Sequence, residues 1–179
     1  SLCQKAQDDF LQFSKVKTQS FAEIYAGKIC AALDRQHPRD IFDVKLLLEN
    51  EGLTPEIRKA FVVYLASSPR PISELLSGRQ LNIQPIFESE FFGMTNAKVT
   101  YQELLDTRTQ LLQLIRNSLT ENERKFLLSI KRADPNWQLI DIADIENFPA
   151  LKWKLFNIKK MEKSKWEQSV DNLRSILDL

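Results

Sequence analysis

The chain has 179 residues, 43% hydrophobic and 27% charged, a composition that excludes a disordered tail or a fibre and fits one compact domain or two small ones. Its 25 Lys and Arg against 24 Asp and Glu leave a net charge of +1, so the surface as a whole has no attraction for nucleic acid or anionic membrane. The longest apolar run, residues 61–66, is far shorter than the roughly 20 residues of a membrane span, and no basic-then-apolar leader opens the chain, so a cytoplasmic protein is expected.

Residues 1–19 have mixed polarity and no clear period, and read as a remnant of, or linker from, a unit on the amino-terminal side, with 16–18 a candidate strand. From Ser20 onward the spacing predicts helices. A hydroxyl residue followed three positions later by Glu, the capping box that satisfies two orphan amides of a first turn, occurs at Ser20/Glu23, Thr100/Glu103, Thr120/Glu123 and Ser164/Glu167. Pro38, Pro55, Pro71 and Pro149 each suit a first helical position. The predicted helices are 20–35, 39–50, 55–67, 71–77, 83–92, 101–118, 121–131, 149–161 and 165–178, with the stretch 94–99 (MTNAKV) as a hinge and 137–140 as a second candidate strand. In 101–118, Leu104, Leu105, Leu111, Leu112 and Ile115 make one apolar stripe, and Gln102, Asp106, Arg108, Gln110, Gln113 and Arg116 are placed on the opposite, solvated face. The expected fold is mainly α, a multi-helix lobe with at most one or two short strands near the amino terminus. It divides into residues 1–19, a helical subdomain 20–93 and a carboxy-terminal helical subdomain 100–179.

Several chemistries are poorly served. Cys3 and Cys30 are too few for a disulfide framework and read as free thiols, and the single histidine, His37, leaves no ligand set for zinc. The four glycines are too scattered for a phosphate-cradling loop. The informative stretch is 20–49, two helices joined by the polar turn Arg35-Gln36-His37-Pro38. Ile24, Lys28, Ala31 and Arg35 follow helical spacing on the first; Asp40 and Asp43 lie three apart on the second, so a lysine and two carboxylates converge where the helices meet. Such a cluster serves either as a structural ion pair holding the crossing or as an anion site whose ammonium neutralises phosphate charge.

The string AEIYAGKICAALDRQHPRDIFDVKLLLENEGLT resembles a conserved block of the AbiEii/AbiGii toxin family of nucleotidyltransferases, a helix of the form xLYAGKxxAAxxR followed by PRDLFDxxLL. The likeness covers about 35 residues closely, and PALKWKLFNIKKM resembles the same family's carboxy-terminal region. The resemblance implies a bilobed bacterial enzyme of the polymerase-β-like superfamily, in which an α/β lobe binds the metal-nucleotide and a helical lobe closes over it. It further implies transfer of nucleotides from an NTP, with Mg2+, to an acceptor that is tRNA in some members, and a role in abortive infection countered by an antitoxin. Carried over by position, Lys28 touches nucleotide phosphate, Asp40 with Asp43 fills the downstream acidic motif, and Arg39 belongs to that motif as a nucleotide contact or as a brace.

One part of the family pattern has no counterpart in these residues, the Gly-rich turn followed by an Asp-x-Asp pair that binds magnesium. Asp8-Asp9 is adjacent rather than alternate and follows no glycine. The chain is therefore expected to be the helical part of such an enzyme, without metal or NTP bound by itself and inactive alone, its partners a missing amino-terminal lobe, an antitoxin and, in the tRNA-directed case, RNA. Lys152, Lys154, Lys159, Lys160, Lys163 and Lys165 around Trp153, Phe156 and Trp166 suit an RNA backbone, with Lys159 and Lys160 as the contacts; the plain alternative is a solvated lysine face over core tryptophans. Two rival functions remain at this level. One is a non-catalytic module that binds an antitoxin or a second subunit through an exposed apolar patch, and the other is a standalone RNA-binding helical domain.

Overall fold

In the computed structural model, residues 4–10 and 17–179 are described, and Cys3 and Val16 of the expectations above lie outside them. The helices are α1 (Gln4–Phe10), α2 (Phe21–Asp34), α3 (Pro38–Asn50), α4 (Pro55–Ser67), α5 (Ile72–Leu76), α6 (Gln84–Ile86), α7 (Tyr101–Ser118), α8 (Glu121–Lys131), α9 (Pro149–Lys159) and α10 (Lys163–Ile176). A π-helical turn, Phe87–Phe91, extends α6, and 3-10 turns occupy Trp137–Leu139 and Ile145–Asn147. The fold is mainly α, and no strand occurs among the described residues.

Local chemistry explains most boundaries. Ser20, Thr100 and Thr120 each accept from the backbone N–H three residues on while the following Glu reaches back, completing three capping boxes. The fourth expected box is absent. Glu162 caps α10 instead, its carboxylate accepting from the N–H groups of Ser164 and Lys165, because a carboxylate two residues earlier reaches the open amides first. Pro38, Pro55 and Pro149 open their helices, whereas Pro71 stands one residue before α5. The candidate strand at 137–140 is a 3-10 turn led by Asn136, whose side chain accepts from the Gln138 N–H. Helix α1 arises where no period was read, and the Gln4 amide donates to Asp8 at 2.9 Å within it.

The segment predicted as one helix over 83–92 is a single α turn that widens. The Phe92 N–H reaches the Phe87 carbonyl at 2.8 Å, the longer hydrogen bond of a π turn. Widening aligns two buried rings: Phe91 lies 5.5 Å from Phe42 of α3, and Phe87 lies 5.7 Å from Tyr101 of α7. The aromatic contacts repay the weaker backbone geometry.

A continuous apolar core runs from Ala26, Ile29 and Leu33 of α2 through Phe61 and Leu65 of α4 to Leu104 and Leu111 of α7, Phe126 of α8 and Leu173 of α10. Helix α2 lies against both α3 and α4, α3 meets α7, and α4 meets α8 and α9. A methyl group placed on Gly27 would lie 3.4 Å from Cε1 of Tyr64, so the glycine lets that ring of α4 rest on the backbone of α2.

Arg108 departs from the solvated face expected of it. It is buried and donates to the carbonyls of Gly78 at 3.3 Å and Arg79 at 2.8 Å, with its Nε buried and unpartnered. Gln36, buried with φ +52°, donates to the same Arg79 carbonyl at 2.8 Å and accepts from the Leu81 N–H at 3.0 Å. Residues 77–81 therefore hang between the α2–α3 turn and α7. Burial pushes the Arg108 guanidinium below its ordinary pKa, with no carboxylate to offset it. Arg108→Met strips a donor from two carbonyls and is expected to lower unfolding free energy by about 1–3 kcal/mol. Gln110→Met on the exposed face of the same helix should stay within about 0.5 kcal/mol in the same urea titration; equal effects would contradict the clamp.

Candidate functional site

The site is the α2–α3 pair. His37 ends the intervening turn as N-cap of α3, its Nδ1 accepting from the Arg39 N–H at 3.2 Å, and Pro38 then opens the helix with the residue that suits it best. This places Asp40 in the first turn of α3, at the positive end of the helix dipole, and Asp43 one turn further along.

The two carboxylates take different cations. Asp43 accepts from the Lys28 ammonium across the crossing, with both side chains 37% exposed. Asp40, only 10% exposed, accepts from Arg35 through both oxygens, from Nε at 2.5 Å and from Nη2 at 2.9 Å. That hydrogen bond and the Asp40 charge raise the Arg35 pKa above its ordinary value. The convergence of one lysine with two carboxylates thus resolves into two separate pairs. Arg35 lies five residues before Asp40 across the turn, a spacing that sequence reading treats as too distant for one helix and therefore overlooks.

Arg39 has a partner of its own. Its Nη2 approaches the Glu90 carbonyl at 3.5 Å, and His37 Nε2 lies 3.2 Å from the Glu90 carboxylate, so both residues face the π turn. With Nδ1 occupied as an acceptor, the neutral tautomer donates from Nε2 to Glu90. Phe21 and Ile24 precede Lys28 along one stripe of α2, and Leu46 follows Asp43 on α3; all three are exposed apolar side chains beside the ion pair. The edge is half charged and half apolar.

A magnesium site does not fit these residues. Asp43 is taken by Lys28 and Asp40 by Arg35, and among the described residues no group of three His, Cys, Asp or Glu side chains is placed to hold a metal. Cys30 packs against the core, and burial, with the Asp34 charge, pushes its thiol up to about 12, so it is no nucleophile at neutral pH.

The basic-aromatic stretch separates into distinct environments. Lys159 and Lys160 are exposed, with the Lys160 ammonium 3.9 Å above the Phe156 ring. Trp153 is 64% exposed rather than a core residue and stacks on Phe156 at 5.5 Å. Trp166 is half-buried and donates to the Lys131 carbonyl at 3.1 Å. Lys154 reaches inward, donating to the carbonyls of Ser68 at 2.5 Å and Arg70 at 2.8 Å.

The family described as "Nucleotidyl transferase AbiEii toxin, Type IV TA system" matches residues 2–157. The chain belongs to this family. No curated protein and no solved structure matches it. The match takes in both ion pairs, the π turn and most of α9, and membership in a toxin-antitoxin family carries with it an antitoxin as the expected class of partner. No helix among the described residues is long and apolar enough to cross a membrane.

Burial, with the nearby Lys131 charge, lowers the Lys154 pKa from 10.5 to about 8, against an opposing contribution from Glu74. Between those two values the unfolded chain holds more protons than the folded one, so stability from this residue rises with pH from about 8 to about 10.5. Subtracting the unfolding free energy of Lys154→Met from that of the parent across this interval should show the rise; a flat difference would contradict the burial of the ammonium.

Proposed function

We propose that the chain is the helical part of a toxin-type nucleotidyltransferase that moves nucleotides from an NTP to an acceptor, with tRNA the leading acceptor class. The observation that supports this most is the Lys28–Asp43 pair, held half-exposed at the edge of the α2–α3 crossing and flanked by Phe21, Ile24 and Leu46. An ammonium paired, among the described residues, with one half-exposed carboxylate changes partner at little cost, so it can turn to an incoming phosphate. There it offsets charge that grows on the phosphoryl oxygens as the bond to the leaving group breaks.

Asp43 then acts as a positioning residue that keeps the Lys28 side chain extended toward the edge. Asp40 braces the turn through Arg35, and Arg39 braces α3 against the π turn through Glu90. In this reading magnesium and most contacts to the NTP belong to an α/β lobe outside these residues, which covers the apolar part of the edge. The isolated helical part is inactive, and the whole acts in the cytoplasm and is countered by an antitoxin. Lys159 and Lys160 stand on an exposed face suited to the RNA backbone.

The exposed Phe21, Ile24 and Leu46 favour one second reading, in which the edge is a docking face for an antitoxin or second subunit and Lys28 has no chemical part. Lys28→Ala in the protein that includes the metal-binding lobe separates the two. The enzyme reading expects nucleotide transfer to fall by about a hundredfold or more, as for loss of a preorganised cation, with thermal unfolding unchanged. Retained transfer would remove Lys28 from the chemistry and leave the docking face.

A further inference from the structure

A cleft of about 320 Å³ opens between the end of α4, the end of α8 and the length of α9. Its walls are apolar where Pro69, Pro71, Ile158 and Met161 line it, and Trp153 stands at its side. Two ammonium groups line the same space. Lys131 is 6% exposed, and among the described residues the hydrogen-bond partner of its Nζ is the Met161 thioether sulfur at 3.7 Å, a weak acceptor. Lys154 spends two of its donors on the Ser68 and Arg70 carbonyls and keeps a third.

A buried cation without an oxygen partner is costly, and here two cations stand near enough to repel each other. Among the described residues no carboxylate lines the cleft; Glu74 acts on Lys154 from outside it. An anion entering the cleft would meet both charges in a poorly hydrated setting, where each interaction is strong. Trp153, 64% exposed as a residue, adds a flat ring stacked on Phe156. Charge at the inner end and an aromatic plane at the side select a ligand that carries both features, and the volume suits a small molecule rather than a protein segment.

We propose that this cleft binds a phosphate monoester carrying a flat heterocycle, the chemistry of a mononucleotide, with the phosphate on Lys131 and Lys154 and the ring on Trp153. This goes beyond the reading of Lys28 and does not depend on it. The same chemistry is offered by a free nucleotide or by the phosphorylated end of an RNA strand.

The test titrates the 179-residue chain with AMP, adenosine and inorganic phosphate, following heat and tryptophan fluorescence, and repeats the AMP series with a 5′-phosphorylated RNA tetranucleotide and its unphosphorylated twin. Saturable binding of AMP is expected, with adenosine and inorganic phosphate each weaker by about tenfold or more. Lys131→Met should weaken AMP by about tenfold or more with thermal stability held or raised, since an unpaired buried charge is removed. The exposed substitution Trp153→Leu should weaken binding and abolish the fluorescence change, while Lys98→Met, at an exposed lysine outside the cleft, leaves AMP affinity as in the parent. Binding of the phosphorylated tetranucleotide alone, lost in Lys131→Met, supports the proposal and assigns the cleft to strand ends. Absence of saturable binding by AMP and by the phosphorylated RNA overturns it. So does phosphate binding as tightly as AMP, or affinity unchanged in both Lys131→Met and Trp153→Leu.

Discussion

The close seating of α2 between α3 and α4 is the constraint on which the rest of the molecule depends. Ala26, Ile29 and Ala32 are buried on it, and Gly27 lets Tyr64 lie against its backbone. On the side of the helix that these contacts leave uncovered, Phe21, Ile24 and the half-exposed Lys28 lie along one stripe. The polar turn after α2 then returns the chain at once, and the His37 cap sets where α3 begins. The position of Asp43 opposite Lys28 follows from these packing choices, and so does the diversion of Asp40 to Arg35.

The molecule manages its inner charges in an unusual way. Arg108, Lys131 and Lys154 are withdrawn from solvent, and their partners are backbone carbonyls or a thioether rather than carboxylates. Carbonyl acceptors tie loops: Arg108 fixes the segment after α5, and Lys154 fixes the segment before it. These segments flank α5, and Arg108 and Lys154 come from later helices, so these cations join parts of the chain that were read as separate subdomains, across one continuous core. The cost is three desolvated charges, and burial lowers the pKa of each. At Lys131 the partner among the described residues is the Met161 thioether instead of a carbonyl, which singles out its cleft.

Much of the helix plan was legible because caps are short-range chemistry. Three capping boxes and three N1 prolines act within four residues, and those boundaries stand where the spacing put them. The π turn was illegible, since it follows from Phe42 and Tyr101, distant in sequence, drawing in Phe91 and Phe87. Arg108 looked solvated for the same kind of reason: its register on α7 says nothing about the Gly78 and Arg79 carbonyls that arrive from another segment. At the site, helical spacing brought Lys28 together with both Asp40 and Asp43, and of the two the ion pair with Lys28 falls to Asp43. The Arg35–Asp40 pair depends on how the turn folds back, and the exposed Trp153 depends on which side of α9 the core leaves uncovered.

In the proposed reading Asp40 holds the helix crossing and Asp43 keeps Lys28 available. Urea unfolding of Asp40→Asn, Asp43→Asn and Lys28→Ala tests it directly. The account predicts that Asp40→Asn, which breaks a two-point hydrogen bond at a helix start, costs about 1–2 kcal/mol. Asp43→Asn and Lys28→Ala, which break a half-exposed pair, should cost no more than about 0.5 kcal/mol each. A cost for Lys28→Ala equal to that for Asp40→Asn would make Lys28 a structural brace and contradict its place in the chemistry.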